Sequence, residues 1–177
     1  MADFDEEQRA RLDAFLASVQ LRALRTAQFA VGSRDDALDL VQHAMLELAQ
    51  RYAARPPAEW APLFHRILQS GILQFHRRRR RQAHWLGWFS TDAAILEAVP
   101  DPAPGAQHLV EQGETVSRLE QAVRQLPLRQ QQVVMLRVWE GLDVAATARA
   151  MNCGEGSVKT HLSRALASLR ERLGEDA

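Results

Sequence analysis

At 177 residues with 46% hydrophobic and 25% charged side chains, the chain is too apolar for a wholly disordered polymer and is sized for one medium domain or two small ones. No apolar run approaches the ~20 residues that cross a bilayer, and the acidic stretch Met1 to Glu7 lacks the basic-then-apolar order of a secretion signal, so a cytoplasmic address without membrane insertion is expected. The formal net charge of zero does not exclude a polyanionic partner: residues 51–82 carry eight arginines against Glu59, and residues 83–114 carry five acids (Asp92, Glu97, Asp101, Glu111, Glu114) and no Lys or Arg.

Apolar residues recur at a spacing near 3.6 along the chain, without sustained alternation of period two, which predicts an all-α fold. Residues 5–31 form a first helical stretch carrying Leu12, Phe15, Val19, Leu24 and Phe29, ending near Gly32. Ser33, with Asp36 three positions on, resembles a capping box and restarts the helix. There Leu38, Val41, Met45 and Leu48 fall on one buried stripe, and Asp39, Gln42, His43 and Leu46 share the opposite face. After the connector Arg51 to Arg55, Pro56 and Pro57 break the chain. A further helix opens near Glu59 with the apolar face Trp60, Leu63, Phe64, Ile67, Leu68, Ile72 and Phe75, then runs into Arg77-Arg78-Arg79-Arg80-Arg81.

Between 83 and 113 the periodicity fades, and Pro100, Pro102, Pro104, Gly105 and Gly113 interrupt any long helix. An acidic, irregular linker is expected there, joining a helical domain over 1–82 to a second over 114–177. Val116, Leu119, Val123 and Leu126 make one helical face before Pro127. Leu128 through Glu140 makes another helix, stopped by Gly141. Asp143 caps a short helix to Ala150, and Val158, Leu162, Leu166, Leu169 and Leu173 stripe a long last one.

Asp143 to Leu162 has the layout of a helix-turn-helix. Ala145 and Ala148 are small enough for a close crossing, Asn152 tolerates positive φ at the turn, and Val158 and Leu162 anchor the second helix. Ser157, Lys159, Thr160, Ser163 and Arg164 are left near its outward side, short polar or cationic groups suited to phosphates and base edges. On spacing alone, an ordinary helical hairpin with a solvated polar face fits equally well.

The longer pattern separates these two. Leu126-Pro127-Leu128-Arg129-Gln130, then Val134 to Leu142, the hairpin, and Ser157-Val158-Lys159-Thr160-His161-Leu162-Ser163-Arg164-Ala165 to Leu169-Arg170 resemble the fourth conserved region of bacterial sigma factors. The resemblance implies that Ser157, Lys159, Thr160, Ser163 and Arg164 read the upstream, minus-thirty-five promoter element, and that this domain touches the polymerase β-subunit flap. Asp39-Leu40-Val41-Gln42 within Asp36 to Leu48 is similar to the clamp-binding helix of sigma region two, which assigns Asp39, Gln42, His43 and Leu46 to core RNA polymerase.

Trp60 to His76 with the arginine run is similar to the family helix that binds the downstream, minus-ten element as it melts, implying Trp60, Ser70, Gln74, Arg77, Arg78, Arg79, Arg80 and Arg81 as promoter contacts. Arginines neutralise phosphates and aromatic rings stack on unpaired bases, although Trp60, Phe64 and Phe75 are equally suited to the core. Tyr52 to Glu59, proline-rich here, corresponds to the loop that captures a flipped-out base. Ser70 stands where many relatives have asparagine and Gln74 where many have aspartate, and Val144 to Thr147 replaces a commonly acidic helix start, so those base preferences and contacts do not carry over.

The length suits the extracytoplasmic-function (ECF) class, since primary sigma factors carry further promoter-binding regions. The family linker threads toward the RNA exit path, which an acidic segment suits; Trp85, Trp88 and Phe89 serve equally to anchor it on the protein's own surface. An anti-sigma factor joins promoter DNA and core polymerase among the expected partners. Cys153, the only cysteine, reads as a small buried hydrophobe, and the six scattered histidines lack metal-binding spacing. With no phosphate-cradling glycine loop or nucleophile elbow, no catalytic residue, metal, cofactor or small-molecule substrate is expected. The rival reading is a dimeric helix-turn-helix regulator that is not a polymerase subunit; a weaker one is a helical adaptor that binds only protein. Neither needs both the clamp-like helix and the arginine-flanked helix.

Overall fold

The computed structural model describes residues 6–87 and 110–174. Its helices are α1 Glu6–Val31, α2 Arg34–Arg51, α3 Pro57–Gly87, α4 Val110–Arg124, α5 Leu128–Val134, α6 Val144–Met151 and α7 Glu155–Leu173. The chain divides into two compact units, Met1–Pro100 and Asp101–Ala177. Trp88, Phe89, the side chain of Trp85 and most of the acidic linker lie outside the described residues.

Turn chemistry sets the first unit's boundaries. Gly32 adopts φ +77°, and its N–H donates to the Gln28 carbonyl at 2.8 Å, the left-handed stop that glycine adopts without steric cost. Ser33 is extended, and its Oγ accepts from the Asp36 N–H at 3.3 Å, so α2 begins at once. Pro57 occupies the first position of α3, where a missing N–H costs nothing. The three helices pack on one another around Ala27, Val41, Leu48, Trp60, Phe64, Leu68 and Ile72.

On α2 the buried stripe is Ala37, Val41, Ala44 and Leu48, with Leu38 and Met45 half-buried at its edge. α2 and α3 approach closely beside this stripe: a Cβ on Gly71 would stand 2.9 Å from Leu40 Cδ2.

Four expectations are corrected. The helix carrying the arginines continues through residues 83–87, since Arg and Gln are good helix formers and no Pro or Gly lies between Gly71 and Gly87. At the linker's other end α4 begins at Val110 and contains Gly113, whose ~1 kcal/mol penalty is too small to end a helix. The segment Leu128–Glu140 is not one regular helix: α5 passes into a π-helical turn, Met135–Trp139, in which the Glu140 N–H donates to the Met135 carbonyl at 2.9 Å. Gly141 then closes it at φ +72°. Lastly, Val123 and Leu126 are buried, but Val116 and Leu119 remain 55% and 45% exposed, and in α7 Ala165 takes the innermost place while Leu166 turns outward.

Candidate nucleic-acid and partner interfaces

In the second unit a set of local bonds aims α7. Asp143 Oδ1 accepts from the Ala146 N–H at 2.6 Å, and Thr147 Oγ1 donates to the Asp143 carbonyl at 2.7 Å, fixing the start of α6. Ala146, Ala148, Ala150 and Met151 are buried, and α6 packs on α7. Asn152 takes the left-handed conformation, φ 50° and ψ 54°, which turns the chain from one helix into the next. Arg129 Nη1 donates to the Met151 carbonyl at 3.0 Å and to Gln132 Oε1 at 3.3 Å, tying the beginning of α5 to the last turn of α6, where a cation also complements the helix dipole.

Val158, Ala165 and Leu169 are the buried side of α7. Ser157, Lys159, Thr160, Ser163 and Arg164 are all exposed, and at 100° per residue they occupy the arc facing away from that side. The structure therefore brings the five upstream candidates together on one open face. The Thr160 hydroxyl donates to the Gly156 carbonyl at 2.9 Å, which leaves its oxygen to accept.

The first unit presents a different arrangement. A groove of about 630 Å³ lies between α2 and α3, lined on α2 by Asp36, Asp39 and His43 and on α3 by Ser70, Gln74 and Arg78. It thus brings Asp39 and His43, expected to face the clamp, together with three residues expected to face DNA. Gln42 and Leu46 are exposed on α2 outside this lining. Glu47 is paired with His43 at 3.3 Å and with Arg51 at 3.1 Å.

Trp60 is corrected: it is 1% exposed, its ring 5.9 Å from that of Phe15, so it is a core residue and offers no stacking surface to a base. Phe64 is buried as well, and Phe75 is half-buried in the groove wall. The five arginines are all exposed but do not form one set. Arg77, Arg78 and Arg81 continue the helical stripe of Ser70 and Gln74. Arg79 lies 5.7 Å over the Phe75 ring, and Arg80 acts on His76.

Two residues not singled out as contacts in the sequence, Asp36 and Arg66, also line the groove. Arg66 is one turn before Ser70 and two before Gln74, a spacing that would have revealed it. Elsewhere on α3, burial and, less strongly, Arg22 lower the His65 pKa to about 4. The His76 pKa is lowered by burial and by Arg80 and Arg79, opposed by a hydrogen bond to the Ala30 backbone. Among the described residues no group of three or more His, Cys, Asp or Glu is placed to hold a metal ion, and no helix is long and apolar enough to cross a membrane.

Comparison with known proteins gives a consistent picture. The family model described as Sigma-70, region 4 matches residues 117–169. The chain is 32% identical over 174 residues to the RNA polymerase sigma-E factor of Streptomyces coelicolor, covering 97% of this chain and 86% of the relative. It is 34% identical over 152 residues to the ECF RNA polymerase sigma factor SigM of Mycobacterium tuberculosis, covering 85% and 70%. Among solved structures, the sigma factor RpoE of Bartonella quintana, crystallised with the anti-sigma factor NepR, aligns over 100% of both chains with a TM-score of 0.62 and 23% identity, a likeness of fold.

Proposed function

The chain belongs to the extracytoplasmic-function sigma factors of bacterial RNA polymerase, and from that premise we propose which of its surfaces carry the family's tasks. It is a transcription initiation factor that binds core RNA polymerase and directs promoter recognition and DNA melting. Residues 114–177 act as the region-four domain on the upstream element, with Lys159 and Arg164 on phosphates and Ser157, Thr160 and Ser163 at base edges in the major groove. Residues 1–82 act as the region-two domain, and 83–113 join them, with helix at each end of that segment.

Within the region-two domain, Asp39, Gln42, His43 and Leu46 offer a mixed polar and apolar face to the polymerase clamp. Ser70, Gln74, Arg77, Arg78 and Arg81, joined by Arg66, form the track for the downstream strand, with Arg79 and Arg80 adding field around it. Trp60 is left out, because a buried ring cannot stack on a base. The protein works by positioning polymerase and DNA, without a catalytic step of its own, in the cytoplasm where the polymerase is. An anti-sigma factor is its expected antagonist.

The observation that carries this assignment is the single open face of α7, assembled by the Asn152 turn inside the residues matched by the region-four model. Transcription reconstituted from core polymerase, the full chain and genomic DNA tests it. Promoter-specific transcripts that require the chain are expected; tight duplex binding without any such transcript would favour a regulator that is not a polymerase subunit.

A further inference from the structure

The groove of the first unit sets opposite charges face to face. Asp36, Asp39 and Glu47 line its α2 side, and Arg66, Gln74 and Arg78 its α3 side. Glu47 has His43 and Arg51 for company, whereas among the described residues no ion pair reaches Asp36 or Asp39. Asp36, Asp39, Arg66 and Arg78 line one groove of about 630 Å³, and the Debye length at physiological ionic strength is about 8 Å. A phosphate drawn to the arginines of α3 therefore also feels the two carboxylates of α2, only partly screened.

We propose that Asp36 and Asp39 form an electrostatic gate, which keeps a nucleic-acid strand off the α3 wall of the free protein and is lifted when a cationic surface of the polymerase covers the α2 wall. The gate rests on the assignment of α2 to polymerase and α3 to the promoter strand, and adds a coupling between them. Polymerase docking removes a repulsion that strand binding otherwise has to overcome. By linkage, the strand strengthens polymerase docking by the same factor. The free factor is thereby kept from loading onto stray single strands, and the same two charges help it to recognise its partner.

The test is the affinity of a short fluorescent single-stranded oligodeoxynucleotide of mixed sequence, measured by anisotropy for the full chain alone and in complex with core polymerase. For the free chain, Asp36→Asn should tighten strand binding about threefold and Asp36→Asn with Asp39→Asn about tenfold, both gains shrinking as salt rises. Adding Arg78→Ala to Asp36→Asn should cancel the gain, because the charge acts across the groove. In the polymerase complex, where the partner already neutralises the wall, Asp36→Asn should change strand affinity by less than about 1.5-fold.

The gate is overturned if the free variants bind no better than the wild type at low salt, or if the gain is equal with and without polymerase. Strand binding by the polymerase complex that ignores the α3 arginines altogether would instead overturn the assignment of α3, and the gate with it. Circular dichroism of each variant confirms that the three-helix unit is intact.

Discussion

The two faces proposed to meet nucleic acid are built in different ways. On α7 the five exposed side chains stand on one helix, backed by Val158, Ala165 and Leu169, with the helix aimed by the Asn152 turn and the Arg129 tie. On α3 the stripe that begins with Arg66, Ser70, Gln74 and Arg78 shares its groove with carboxylates of α2. The first surface is complete within its own unit. The second is faced by opposing charge, so under the proposed gate its strength depends on what else is bound. On the proposed assignment, duplex recognition belongs to the second unit itself and strand capture to the assembled polymerase.

The largest effect that sharpens this contrast is expected from Trp60→Ala. Deleting a buried aromatic ring costs about 3–5 kcal/mol, so the first unit should unfold at lower denaturant while upstream duplex binding by α7 survives. A variant that stays as stable as the wild type yet loses strand binding would return Trp60 to the DNA and break the comparison.

Next comes pH. Folding lowers the His65 pKa from 6.5 to about 4, so the unfolded chain binds more protons in that window. Stability is therefore complete above pH 6.5 and declines as pH falls toward 4, by ~3 kcal/mol in all. His76 acts in the same sense. Urea unfolding across this range should show the decline in the first unit, and His65→Gln should flatten most of it.

Lys159→Ala and Arg164→Ala should each weaken upstream duplex binding by ~1–2 kcal/mol, lower the salt slope by about 1, and leave strand capture by the first unit alone. Smallest is the difference between two neighbours. Arg78→Ala should reduce the single-strand salt slope by about 0.7, and Arg80→Ala, beside His76 and off the stripe, by much less. Equal effects would show that the arginine run acts as a diffuse field instead of a track.

What could be read from residues follows the same division. The face of α7 was legible because one helix period and one turn residue determine it: Asn152 tolerates the left-handed conformation, and Val158 marks which side goes in. Helix stops at Gly32 and Gly141 were legible for the same local reason. The groove was not, since it exists only where α2 and α3 meet, and no spacing within either helix pairs Asp36 with Arg78. Trp60 escaped because an aromatic residue at a helix start serves equally as core or as a stacking platform until Phe15 is found against it. The π-helical turn left no mark in the apolar spacing, because Met135 and Leu136 are buried as an ordinary helix would bury them.

The most direct measurement is a footprint of the polymerase complex on one promoter, duplex protection upstream and permanganate reactivity of the melted strand downstream, for two variants. Lys159→Ala with Arg164→Ala should lose the upstream protection and keep the melted strand on a promoter whose downstream element is strong. Arg77→Ala with Arg78→Ala and Arg81→Ala should keep the upstream protection and lose the melting. Loss of both signals together in each variant, with polymerase binding intact, would contradict the assignment of separate DNA contacts to the two units.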